Sequence, residues 1–130
     1  MRIVVPSLAL GLAASLLAVP AVAQEWKADK TNCVAAYGAL AHESASIVAW
    51  RPQLGGATNL TTIDWAGRRT KLLNGSAVLQ AGAQPFEGNF RQMLRKDRID
   101  DISQATGVVI ELSMRCDVVF GYSPTFVIPG

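Results

Sequence analysis

Apolar residues recur at helical spacing along most of this chain, and the interruptions divide it into four candidate helices. The first starts where Asp29 or Thr31 can cap it and runs to about Trp50, where Arg51-Pro52 stops it. Cys33, Tyr37, Leu40 and Ile47 share one face. Beside them Ala35, Ala39, His42, Ser46 and Ala49 form a face of small residues that another helix can approach closely. Residues 53–57, with Gly55-Gly56, are a loop.

Thr61 and Asp64 have the spacing of a capping box, which would open a second helix. That helix carries Trp65, Leu72 and Leu79 on one side, with Ile63, Ala66, Leu73 and Ala77 beside them. Asn74-Gly75 interrupts it and is also a hairpin signal, but the apolar spacing continues through the glycine and favours helix. Residues 81–85 form the next connection, and Pro85 suits the first turn of a third helix bearing Phe86, Phe90, Met93 and Leu94. Continuing that phase would bury Asp97 and Arg98. Ile99 and Ile102 restart the pattern out of register, which places a kink or short turn near Asp97 and makes Asp100 or Asp101 the cap of a fourth helix.

Residues 102–120 fit two periods. Ile102, Ala105, Val109, Leu112, Cys116 and Val119 are spaced alternately three and four apart, a helical seam. Val108, Ile110, Leu112, Met114, Cys116, Val118 and Phe120 alternate, with Glu111, Ser113, Arg115 and Asp117 between them, the pattern of a strand at 108–120. The two cysteines favour the helix. In an up-down-up-down bundle the first and last termini share one end, so Cys33 in the first turn of helix one meets Cys116 late in helix four. The expected fold is all-α, a small four-helix bundle closed by one disulfide; α+β with the 108–120 strand is the alternative. The tail, residues 121–130, is non-helical and apolar, with Tyr122, Phe126, Val127 and Ile128, and is expected to pack back on the bundle.

Residues 1–23 alter the composition. Arg2, an apolar run broken by few small residues, Pro20 and the triplet Ala21-Val22-Ala23 read as a secretory signal peptide with cleavage after Ala23. The whole chain has 130 residues with 12 Lys+Arg against 10 Asp+Glu and 50% hydrophobic residues. Without the leader and its Arg2, residues 24–130 form one near-neutral domain of ordinary apolar content. That balance argues against nucleic acid as a partner, and no membrane span is expected after cleavage. Export to the periplasm or beyond in turn favours a Cys33–Cys116 bridge over two free thiols.

Chemistry is sparse. His42 is the lone histidine, and its neighbours Glu43, Ser44 and Ser46 make a hydrolase conceivable, yet on a helix Glu43 points about 100° away from it. No nucleophile elbow accompanies it. Two distant cysteines and one histidine form no metal-ligand spacing, and haem attachment would need Cys-x-x-Cys-His; Met93 and Met114 read as core residues, so no cofactor is expected. Arg91, Arg95 and Arg98 line one helix face, either an anion site for phosphate groups or an acidic partner, or a solvated face balanced by Asp97, Asp100 and Asp101. The sequence thus leads to an exported binding module for an unknown protein partner in the cell envelope, with Arg91, Arg95, Arg98, Tyr122 and Phe126 as its contact surface. A small-ligand carrier with a pocket at Ala39, His42 and Ser46 is the alternative, and a hydrolase using His42 the remote one.

Overall fold

The structure is a computed structural model that describes residues 26–55, 60–102 and 104–122. These residues form four α-helices: α1 (Lys30–Trp50), α2 (Trp65–Leu73), α3 (Ala77–Asp100) and α4 (Gln104–Phe120), with short 3-10 turns at Pro52–Gly55 and Leu60–Thr62. No strand occurs among them, so the 108–120 alternative is excluded. The helical seam holds in its middle, where Ala105, Val109, Leu112 and Cys116 are buried, but its ends Ile102 and Val119 are 43% and 58% exposed; Val118, from the alternating set, is exposed as well.

Helix α1 is the hub. Asp29 caps it through the Asn32 N–H, every residue from Cys33 to Leu40 is buried, and α1 packs against each of the other three helices. A helix apolar on all sides can be covered only by being surrounded. Specific pairs fix each direction. Gly38 and Glu43 on α1 face Glu87, Arg91 and Arg95 on α3 in the same order, so these two helices run parallel. Helix α4 runs the other way, because its late Cys116 and Asp117 meet Cys33 and Tyr37. Consistently, Asp101, just ahead of α4, meets Trp50 at the far end of α1. The Cys33–Cys116 bridge is formed, with both residues fully buried.

Several boundaries differ from the sequence reading. Asp64, rather than Thr61, caps α2, its carboxylate accepting the Gly67 N–H at 2.9 Å. Thr61 and Thr62 lie instead in a 3-10 turn, secured where the buried Trp65 indole donates to the Leu60 carbonyl. The second helix does not cross Asn74-Gly75: both residues take the left-handed region, with φ of 47° and 77°, and reverse the chain. Ser76 then caps α3, which runs unbroken through residues 81–85 with Pro85 inside it on an exposed position. Leu79, Ala83, Phe86 and Phe90, at spacings four, three and four, face the core along this stretch, and that continuous packing outweighs the local proline signal.

Helix α3 likewise continues past Asp97 to Asp100, with Asp101 in the left-handed region as its C-cap rather than the start of α4. Asp97 is buried as the helical phase requires, and its carboxylate accepts the Thr106 N–H in the first turn of α4. The carboxylate thereby serves an orphan donor and sits at the positive end of the helix dipole. Ile99 and Ile102, which pointed to a register change, are 76% and 43% exposed and belong to no core seam.

Two stability outcomes follow. Asp97→Ala should lower unfolding free energy by about 1–3 kcal/mol in urea titration, the usual range for a lost cap over a buried donor. Unchanged stability would mean Thr106 N–H finds another acceptor. The double variant Cys33→Ala/Cys116→Ala should cost more, about 4 kcal/mol, because the bridge closes residues 83 apart. A loss below about 1 kcal/mol by the same titration would show that the denatured chain gains little freedom when the bridge is absent.

Candidate functional site

Glu43 falls at the core phase of α1, one turn from Leu40 and from Ile47, and its side chain is only 8% exposed. A carboxylate there needs donors from a neighbouring helix. Helix α3 supplies two. Arg91 and Arg95 stand one turn apart, and both donate Nε–H to the same Glu43 oxygen, Oε2, at 3.2 and 3.1 Å. The two Nε atoms are therefore held close together, and the Nη groups of both guanidiniums make no other hydrogen bond or ion pair among the described residues. Arg98 continues the strip, exposed and without an ion pair among the described residues; Leu94, Arg95, Arg98, Glu43, Ser46 and Ile47 border a crevice with no room for a water molecule.

The balance of this face differs from expectation. Asp97 caps α4, Asp100 pairs with Lys96 at 3.2 Å, and Asp101 meets Arg51 and the Trp50 indole. None of the three neutralises the arginines. Among the described residues Glu43 alone does so, and one carboxylate against three guanidiniums leaves the face cationic.

A second polar cluster joins α1, α2 and α4. Asp117, buried on α4, accepts the Tyr37 hydroxyl at 2.7 Å and pairs with Arg68 of α2 at 2.8 Å. Tyr37 stacks on Trp65 and meets Tyr122 edge-on, while the Arg68 guanidinium lies over both the Trp65 and Tyr122 rings. Burial first, and then the hydrogen bond and negative charge of Asp117, push the Tyr37 hydroxyl far above its ordinary pKa, so it stays protonated throughout the range of a folded protein. On the outer side, Asp64, Gly67, Arg68, Lys71 and Tyr122 line an open cleft of about 280 Å³. Tyr122 thus packs against the bundle; Phe126 and the rest of the tail lie outside the described residues, as do residues 1–23.

The proposed pocket residues do not converge. Ala39 is sealed in the core, His42 is exposed with no hydrogen-bond or ion-pair partner among the described residues, and Ser46 borders the arginine crevice. Of the small face they belong to, Ala35 and Ala39 are buried in the core and Ala49 is exposed. Gly38, beside Ala39, lies under the Arg69–Glu87 pair, where a Cβ would collide with the Glu87 carboxylate. Another open space is a groove of about 540 Å³ between the start of α1 and the α2–α3 corner, lined by Lys30, Thr31, Leu72, Leu73, Asn74, Leu79 and neighbours. Among the described residues, no group of three or more His, Cys, Asp or Glu is placed to hold a metal ion. Sequence reasoning missed Glu43 as the arginines' partner, although its phase with Leu40 and Ile47 was a usable signal.

No protein-family model, curated protein or solved structure matches the chain, so its function is argued from its own side chains.

The Tyr37 cluster makes a pH-dependent prediction. The unfolded chain releases this proton near pH 10, whereas the native state keeps it, so the associated stability is present below about pH 10 and is lost as pH rises beyond it. Tyr37→Phe should cost about 1–2 kcal/mol at pH 8 by leaving Asp117 one donor short. The gap from wild type should narrow between about pH 10 and 11 in urea titrations. A gap independent of pH would show that Tyr37 ionises as freely in the fold as outside it.

Proposed function

We propose that this chain is an exported binding module of the cell envelope, periplasmic or secreted, that recognises an anionic partner through the arginine face of α3. The carrying observation is that Arg91 and Arg95 are both anchored at Nε on one buried carboxylate, with Arg98 beside them. Arginines arranged this way keep their outward donors available and lose little side-chain freedom on binding. Export is supported by the signal-like residues 1–23 and by the Cys33–Cys116 bridge, which suits an oxidising compartment. No helix among the described residues is long and apolar enough to cross a membrane.

Binding is favoured over catalysis because the exposed His42 has no hydrogen bond or ion pair, among the described residues, with an acid that could orient it or a hydroxyl that it could activate. Carriage of a small ligand is a second reading, and the groove at Lys30, Leu72 and Leu79 supports it better than the Ala39, His42 and Ser46 positions do.

The test is affinity capture from envelope extract with residues 24–130 as bait. The wild type should retain a partner that salt releases, and Arg91→Ala/Arg95→Ala/Arg98→Ala should lose it while keeping its circular dichroism. A partner retained equally by the triple variant would place the contact elsewhere, on the apolar tail for example. Recovery of a bound small molecule with the purified protein would favour the carrier.

A further inference from the structure

We infer that Arg91 and Arg95 form a preorganised clamp for a phosphomonoester group, with Glu43 as the residue that positions both guanidiniums. The inference rests on the binding-module reading and names the chemistry of its contact.

The argument starts from electrostatics. Two guanidiniums one helical turn apart repel each other, and in a solvated stripe they would splay. Here the Glu43 oxygen, held almost out of solvent, pins both at Nε within hydrogen-bond distance. Each guanidinium is planar, so fixing Nε fixes the direction of the remaining donors. Those Nη groups have no other hydrogen bond or ion pair among the described residues, and the Arg91 and Arg95 side chains are 31% and 49% exposed, so an incoming anion can reach them.

The ligand class follows from donor count and charge. One carboxylate saturates one guanidinium fork, and Glu43 already occupies the inner side of both. A phosphomonoester carries up to two charges and three terminal oxygens, enough to bridge two forks at once. It would also bring that face close to neutrality, since three guanidiniums stand against one carboxylate there. Arg98, one turn further, can approach the same group or a neighbouring one. A phosphodiester, with a single charge and two free oxygens, satisfies the pair less well. The phosphomonoester could belong to a lipid headgroup or to a soluble molecule, and the shared chemistry is what the clamp reads.

The test uses residues 24–130 with the disulfide intact. Inorganic phosphate is titrated by calorimetry and by NMR shifts of the arginine Nε–H groups. Cosedimentation is measured with phosphatidylcholine vesicles containing either phosphatidic acid, a phosphomonoester, or phosphatidylglycerol, a diester. Wild type should bind phosphate saturably and should prefer phosphatidic acid over phosphatidylglycerol. Arg91→Lys/Arg95→Lys keeps the charge and should weaken binding by about tenfold or more, because the forks are gone.

Glu43→Gln is the decisive variant. It makes the protein more positive, so simple charge attraction predicts tighter binding, whereas a positioning role predicts weaker binding and altered Arg91 and Arg95 Nε–H shifts. Should Glu43→Gln fail to fold, the double lysine variant carries the test alone. Phosphate binding without vesicle binding would support the clamp and assign a soluble source. Equal binding to both vesicle types, equal or tighter binding by Glu43→Gln, or stronger binding of an oligoglutamate peptide than of phosphate would each overturn it. An envelope partner captured alike by wild type and by Arg91→Lys/Arg95→Lys would leave the module reading standing while the clamp falls.

Discussion

A carboxylate can sit inside a helical bundle only if another helix brings donors to it, and three carboxylates impose that condition on this fold. Glu43 of α1 is met by Arg91 and Arg95 of α3; Asp97 of α3 is met by the Thr106 amide of α4; Asp117 of α4 is met by Tyr37 of α1 and Arg68 of α2. Each contact specifies which helices are neighbours and how they are aligned. Loss of one partner would strand a buried charge, which costs more than the pair itself contributes. Apolar packing drives the collapse, and these pairings help select one arrangement from those that would bury α1 equally well.

The Asp117 contact matters most where packing is thinnest. Helices α2 and α4 do not pack on one another, and Arg68 bridges the space between them while its guanidinium lies on Trp65 and Tyr122. At the same end of the bundle the disulfide joins α1 to α4, and the Trp26 carbonyl accepts from Arg115. At the opposite end the buried Asp97 carboxylate joins α3 to α4 through the Thr106 amide, and the exposed Asp101 meets Arg51 and Trp50. The covalent tie thus lies where the chain enters α1 and leaves α4, while buried polar ties occur toward both ends of the bundle.

The same physics shapes the arginine face. Glu43 stabilises the α1–α3 contact and, in doing so, holds two cations at the surface. One buried carboxylate thus orders two surface cations, which explains why the face is ordered without being neutral. The tyrosine cluster is the opposite case. Its charges are matched inside the protein, so it contributes to the fold and only its outer rim, at Lys71 and Tyr122, faces solvent.

The sequence by itself determined the helical class, the extent of α1, the middle of the α4 seam and the pairing of Cys33 with Cys116. These rest on local spacing, or on the rule that the first and last helices of a four-helix bundle end together. It did not determine where α2 ends, since Asn74-Gly75 as a helix break and Pro85 as a helix interior depend on how α3 packs against α1. Nor did it identify the partners of the charges. Arg91, Arg95 and Arg98 looked balanced by the nearby Asp97, Asp100 and Asp101, whereas their counter-charge lies 48 residues before Arg91, at Glu43. Hydrophobic periodicity records which way a residue faces; only the tertiary structure decides what it faces, because a buried charge is satisfied by whichever donor the neighbouring helix carries past it.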